Sequence, residues 1–294
     1  MRQRKKLQEL TIKDNFMFGA VMMDEENCRR LLEISLGFPV AHVAVSKEKS
    51  IVYNPEYKGV RLDDIANDEA GTHFNVEMQA IEKPALGRRS RYYHSQIDME
   101  LLLSGRDYSK LSDAYVIFIC DFDPFGNKKY RYTFDYRCAE VDELLLKDGG
   151  HTIFLSTRGI NESEVPVPLV KFLKFVGANL KDSTKDYQDD YVRKLQNDVH
   201  EVKLSREMRE RYMILQEMLR EERTEGREEG REEGLAIGKR KMAETILDLL
   251  EDFGAVPETL KEKIINEKDI QVLGEYLKKA TRAHSIEQFQ KDIL

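Results

Sequence analysis

At 294 residues, with 41% hydrophobic content, the chain is long enough to bury a real core and carry a helical appendage besides. A formal charge of −7 excludes a uniformly basic nucleic-acid-binding surface, so phosphate contacts must come from local clusters of Lys and Arg. Three cysteines (Cys28, Cys120, Cys138) without zinc-like spacing read as buried thiols of a reducing cytoplasm.

The basic start, Met1-Arg2-Gln3-Arg4-Lys5-Lys6, is not followed by an apolar signal segment, which points to a cytoplasmic protein. Residues 11–37 read as helical. Asp14 stands near the N-terminus, Gly37-Phe38-Pro39 ends the last turn, and Phe16, Ala20, Met23, Leu31, Leu32 and Leu36 supply the apolar positions. Residues 41–51 alternate as a strand and lead through Tyr53-Asn54-Pro55 into two further strands, 60–67 and 73–79. Between those two, Glu69-Ala70-Gly71 fits a three-residue hairpin loop with Gly in the left-handed position.

With Ala70 at the tip, Asp63 falls opposite Glu77 and Arg61 opposite Gln79. Alternation sends Phe74, Val76 and Met78, with Leu62 and Ala66, to a buried face, and Asp63, Glu77 and Gln79 to the other. Asp64 is out of step, so either a bulge shifts the register or Asp64 is the ligand; pairing with Glu77 favours Asp63. Like charges directly opposite in a sheet cost about 0.2–1 kcal/mol unless solvent or a cation relieves them. Two readings of the pair stand side by side. One is a solvated sheet face beside Arg61. The other is a site for a hard ion such as Mg²⁺, which takes one or two carboxylates plus waters and phosphate oxygens. In the second, Gln79 orients a water or a phosphate oxygen, having both a donor and an acceptor.

Residues 87–103 read as a helix with Tyr93, Ile97 and Leu101 on one stripe. Its first turns carry Arg88, Arg89, Arg91, Tyr92 and His94, a set suited to phosphate and base contacts and equally to a solvated basic turn. Ala114–Cys120 is continuous and apolar, a central strand buried on both faces and far too short to span a bilayer. Asp121 and Asp123, before Pro124-Phe125-Gly126, read as turn residues and not as a metal pair. An edge strand over 130–136 and a short strand over 151–156 complete the sheet.

From Pro166 onward the pattern is helical: Leu169, Phe172, Leu173 and Val176 line one helix, and 186–222 forms a longer helix or helical pair. The repeat Gly226-Arg227-Glu228-Glu229, Gly230-Arg231-Glu232-Glu233, Gly234, echoed at Gly238, allows a close-packing helical stripe or a solvated linker. Short helices follow, with Ile246, Leu249, Leu250, Leu260, Ile264, Leu273 and Leu277 as core and Pro257 at a helix start.

Asp63 followed by Glu77-Met78-Gln79 resembles the Asp…(Asp/Glu)-x-Lys core of the PD-(D/E)XK nucleases. Arg61-Leu62-Asp63, Asn75-Val76-Glu77-Met78-Gln79 and Arg91-Tyr92-Tyr93 are more closely similar to the Rpn family of recombination-promoting nucleases and transposases. So are Thr11-Ile12-Lys13-Asp14-Asn15-Phe16-Met17-Phe18-Gly19, Leu103-Ser104-Gly105-Arg106-Asp107-Tyr108-Ser109-Lys110-Leu111 and the Gly-Arg-Glu-Glu tract. Gln79 departs from the superfamily lysine. The resemblance implies an α/β fold: a restriction-endonuclease-like core with a mixed central sheet over residues 1–165. A helical extension with the Gly-Arg-Glu-Glu linker covers 166–240, and a small helical segment covers 241–294. It implies a metal-dependent DNA endonuclease in which Asp63 and Glu77 hold Mg²⁺ or Mn²⁺ and Gln79 positions the water. Arg88, Arg89, Arg91 and Tyr92 hold the DNA, and an acid from the first helix (Asp14, Glu26 or Glu33, none singled out) approaches the metal, with Asp14 read otherwise as a plain helix cap. The expected partners are DNA and a second copy of the chain through the helical C-terminal region, with no membrane. The competing expectation is a non-catalytic DNA-associated or oligomerising protein that retains the nuclease fold.

Overall fold

The computed structural model describes residues 5–45, 60–63, 71–102 and 107–293, with only the backbone of residues 60–63, 100–102 and 110. Asp64, Ala66, Glu69, Ala70 and Gly105 lie outside these residues, as do 46–51 of the first expected strand and Tyr53-Asn54-Pro55.

In place of one helix over 11–37 there are two, α1 (Asn15–Met22) and α2 (Glu25–Leu36). The break has a local cause: Asp24 caps α2 by accepting from the Asn27 amide at 2.9 Å, so the chain restarts there. Gly37 closes α2 in the left-handed conformation, φ 85°. Asp14 stands at the N-cap of α1, but its carboxylate turns back to the Thr11 amide and the Lys5 ammonium.

Among the described residues six strands follow, β1 (Ala44–Val45), β2 (Val60–Asp63), β3 (His73–Gln79), β4 (Ala114–Cys120), β5 (Arg131–Phe134) and β6 (Gly150–Ser156). They form one mixed sheet in the order β1-β2-β3-β4-β6-β5. β3, β4 and β6 run parallel; β1, β2 and β5 are antiparallel to their neighbours. Helix α3 (Leu86–Leu102) makes the crossover between β3 and β4 that a parallel pair demands. β4 is the apolar central strand and β5 the edge, as the patterns predict.

The β2–β3 register differs from expectation. Asp63 pairs with His73 and Arg61 with Asn75, so neither Asp63 with Glu77 nor Arg61 with Gln79 is a cross-strand pair. The physical reason is the connection: the pairing leaves residues 64–72 between the strands, more than a three-residue hairpin loop. The offset from the expected register is an even number of residues, so alternation along the strands is unchanged.

Phe74, Val76 and Met78 face the larger core with Ile117, Ile119, Ile153 and Leu155. Against that face pack α1, α2, α4 (Val167–Gly177) and α5 (Asp190–Leu204), through Met17, Leu32, Phe172, Val176 and Leu195 among others. The opposite face, with Val116, Phe118, Cys120 and Phe154, is covered by α3 through Ile97 and Tyr93. Burial drives the Cys28 thiol pKa well up and that of Cys120 to about 12, so both stay protonated; Cys138 is half-buried.

The chain divides into two compact units, Met1–Gln216 and Glu217–Leu294. α6 (Arg206–Glu251) carries Tyr212 and Leu215 in the core of the first unit and Ala243, Ile246 and Leu250 in that of the second. The glycine tract is helical, and Gly226, Gly230 and Gly234 are exposed. In the second unit α7 (Glu258–Ile265), which starts after Pro257, α8 (Ile270–Ala280) and α9 (Ile286–Asp292) close a core around Leu260, Ile264, Leu273 and Phe289. No helix among the described residues is long and apolar enough to cross a membrane.

Candidate active site

The end of β3 presents two polar side chains to the face that α3 covers, beside Phe118 and Cys120 of β4. Alternation from Asn75 puts Glu77 and Gln79 toward α3, and both are buried, Glu77 to 2% exposure. A carboxylate that deep must be compensated, because an isolated buried charge is prohibitively unfavourable.

Arg89 compensates it. Its Nη1 donates to Gln79 Oε1 at 2.9 Å, and its Nη2 donates to Glu77 Oε2 at 3.3 Å and to the Tyr93 hydroxyl at 2.8 Å. Gln79 Nε2 in turn donates to Glu77 Oε2 at 3.1 Å, so the amide is locked with its oxygen toward the guanidinium and its nitrogen toward the carboxylate. The guanidinium also lies over the Tyr93 and Phe118 rings, 5.6 and 5.9 Å from their centroids. Burial, then the charge of Glu77, raises the Tyr93 phenol pKa, keeping it a neutral hydroxyl in the network.

The inward turn of Arg89 departs from its expected place among DNA-facing arginines. The cause is helical spacing: Arg89, Tyr93 and Ile97 are four residues apart and share the stripe that meets the sheet. Arg88, Arg91 and Tyr92 fall on the outer side and are exposed. One more turn backward along the Tyr93–Ile97 stripe would have exposed this role in the sequence.

The first-helix acids are engaged locally. Glu26 and Glu33 both pair with Arg29, at 2.8 and 2.7 Å, and Asp14 pairs with Lys5 at 2.7 Å. Lys13, which the sequence did not single out, reaches Asp121 at 2.8 Å, just beyond the strand end where Cys120 pairs with Gln79. Asp121 also takes the Thr157 hydroxyl at 2.9 Å, and Asp123 accepts from the Phe125 and Lys128 amides and the Tyr132 hydroxyl. Asp123 is thus a turn residue as read, while Asp121 ties the strand end to Lys13 and Thr157.

Asp63 is placed by its backbone alone. Its partner His73 lies four residues along β3 from Glu77, about 13 Å at the strand rise. No cluster of three or more His, Cys, Asp or Glu able to hold a metal occurs among the described residues. The donors at the β3 end are of the kind a hard cation takes, a carboxylate and an amide oxygen, and in this structure both accept from the Arg89 guanidinium.

A search of curated proteins found no match, and neither did a search of solved structures. Residues 16–229, which span α1 to the glycine tract and include the whole described sheet, match the PD-(D/E)XK nuclease family transposase. The helix–sheet–crossover order, the buried Glu-x-Gln on the strand before the crossover and this match agree: the chain belongs to the PD-(D/E)XK nuclease family transposases.

Proposed function

We propose that the chain is a divalent-metal-dependent DNA endonuclease whose reacting centre is the end of β3. The observation that carries this reading is a buried carboxylate, Glu77, with a buried amide, Gln79, two residues on, both facing the crossover helix. Glu77 would hold Mg²⁺ or Mn²⁺ with Asp63 as second carboxylate. The bound ion would polarise the scissile phosphate and lower the pKa of a water. From the register described, Asp63 serves the site only if β2 advances four residues along β3, a shift that preserves alternation. Arg89 holds the Glu77 carboxylate and fixes the Gln79 amide. Gln79 has two N–H donors and spends one on Glu77, so the second can orient a water or a phosphate oxygen. Purified protein should nick supercoiled plasmid with Mg²⁺ and stop with a chelator.

Arg88, Arg91 and Tyr92, on the outer side of α3, hold the phosphate backbone in this proposal. Each phosphate contact adds about 0.9 to the salt slope of duplex binding. Changing Arg88 and Arg91 together to Gln should lower the slope by nearly two and weaken binding on every sequence alike. An unchanged slope would remove them from the interface.

A non-catalytic, DNA-associated protein is the second reading, and one observation favours it. The Arg89 guanidinium already neutralises the carboxylate that a metal would need, and Gln79 stands where the superfamily has lysine. Metal-dependent nicking excludes it.

Homo-association through α6 belongs to the same proposal. Gly226, Gly230 and Gly234 have no neighbour within 4 Å on their open sides, which leaves a bare stripe for a second copy. Ala at the three positions should favour the isolated helix by about 1 kcal/mol each. It should also weaken any assembly that packs on them. Light scattering separates the two: a mass that falls on dilution only in the Ala variant supports association, and equal masses for both proteins count against it.

A further inference from the structure

On the sheet face that carries Glu77, two strands away, an aromatic cavity of about 300 Å³ opens between α3, β6 and the end of β5. Phe125 and Phe134 wall it. Their rings lie 5.0 Å apart and pack edge-on against the buried Phe154 at 5.0 and 5.7 Å. Yet Phe125 and Phe134 remain 42% and 46% exposed, and Tyr136 at the rim 61%. Three large rings left in water at one cavity are unfavourable without a ligand, since burying apolar surface is what stabilises such side chains.

The cavity also carries polar groups. The Thr152 hydroxyl lies 2.6 Å from the buried Ser90 hydroxyl and 3.1 Å from His94 Nε2. Burial lowers the His94 pKa, so the imidazole is neutral near pH 7 and offers a hydrogen bond in place of a charge. Arg91, exposed on α3, lines the cavity as well and supplies the cation.

Its position relates to the reacting centre. Glu77, Phe118 and Phe154 are consecutive register partners across β3, β4 and β6. The cavity floor therefore lies about two strand spacings, roughly 10 Å, from Glu77 on the same face. Helix α3 lies between them, with Arg89 and Tyr93 toward Glu77 and Ser90 and His94 toward the cavity, so a bound strand would reach both by crossing α3 along its exposed Arg88 and Arg91.

We infer that this cavity receives a nucleobase unstacked from the bound nucleic-acid strand. The base lays its ring against Phe134, presents its edge to Thr152, Ser90 and His94, and leaves its phosphate to Arg91. This inference rests on the nuclease reading for its ligand. Stacking on protein aromatics suits any base, because every base has a π-face, and the cost of unstacking is met in the pocket. An aromatic side chain of a protein partner would suit the walls but would bring no phosphate to the exposed Arg91 guanidinium.

The chain has no tryptophan, so Phe134→Trp places a single indole in the wall while keeping an aromatic there. The full chain, held in chelator, is titrated with a single-stranded adenine hexamer and with an abasic hexamer of equal charge. Adenine hexamer should quench the indole and abasic hexamer should not. Wild type should prefer the adenine hexamer about tenfold, within the worth of one stacked base. Phe134→Ala, folded by circular dichroism, should bind both hexamers alike. Equal wild-type affinity for the two would overturn the inference. So would stronger quenching by N-acetylphenylalanine amide than by the adenine hexamer, which would make the cavity a protein-docking site. Cleavage is not read, so the two readings fail separately. Base-dependent quenching by a protein that never nicks plasmid upholds the pocket and sinks the nuclease, while metal-dependent nicking with base-blind binding does the reverse.

Discussion

Glu77→Gln should abolish plasmid cleavage, by a thousandfold or more, in a protein that still folds, because the Arg89 side chain left behind is 25% exposed and can turn its charge to water. The substitution keeps the shape and an acceptor for Gln79 and Arg89, and it removes the charge. If that charge holds the cation, its loss removes stabilisation made mainly in the transition state; a thousandfold is about 4 kcal/mol on the barrier. Asp63→Asn tests the second carboxylate under the same assay. Loss of cleavage in both variants supports a two-carboxylate site and, with it, an advance of β2 along β3. Loss in Glu77→Gln alone makes the centre a single-carboxylate one and leaves β2 where it is described. Undiminished cleavage by folded Glu77→Gln would sink the assignment of the site.

The parts of this molecule that obey period rules were legible in the sequence. The unbroken apolar run at Ala114–Cys120 could only be a strand buried on both faces, and alternation alone separated Phe74, Val76 and Met78 from Glu77 and Gln79. What depends on connections was not legible. The break at Asp24 needed a cap that competes with an apolar pattern running straight through it. The β2 register needed the length of the link to β3, which pattern does not report. Arg89 was misread for a different reason. Chemistry groups it with Arg88 and Arg91, while geometry groups it with Tyr93 and Ile97, and the packing of α3 on the sheet decides in favour of geometry. The aromatic cavity was out of reach because Phe125, Phe134 and Phe154 come from separate segments that meet only once β5 pairs with β6.

Arg89→Met should be the most destabilising single change near the site. Methionine has a stem of similar length but no donors, so Glu77 would keep its charge at 2% exposure without the guanidinium, beside neutral donors such as the Gln79 amide and the Tyr93 hydroxyl. Removing one partner of a buried ion pair costs about 3 kcal/mol, which for a unit of this size lowers Tm by roughly 10 °C. The cause is checked by a second change. Glu77→Gln in the Arg89→Met background removes the stranded charge and should return most of the loss, so the two effects are far from additive. Additive losses would mean that Arg89 acts through its packing on Tyr93 and Phe118 and not through Glu77. The same variant bears on the metal. Where the guanidinium is gone, a divalent cation bound at Glu77 supplies the missing positive charge, so millimolar Mn²⁺ should raise the Tm of Arg89→Met more than that of wild type. The double variant should show no such gain, because it lacks the Glu77 carboxylate. Equal shifts in all three proteins would place the ion elsewhere on the molecule and leave Arg89 as the permanent counter-charge of Glu77.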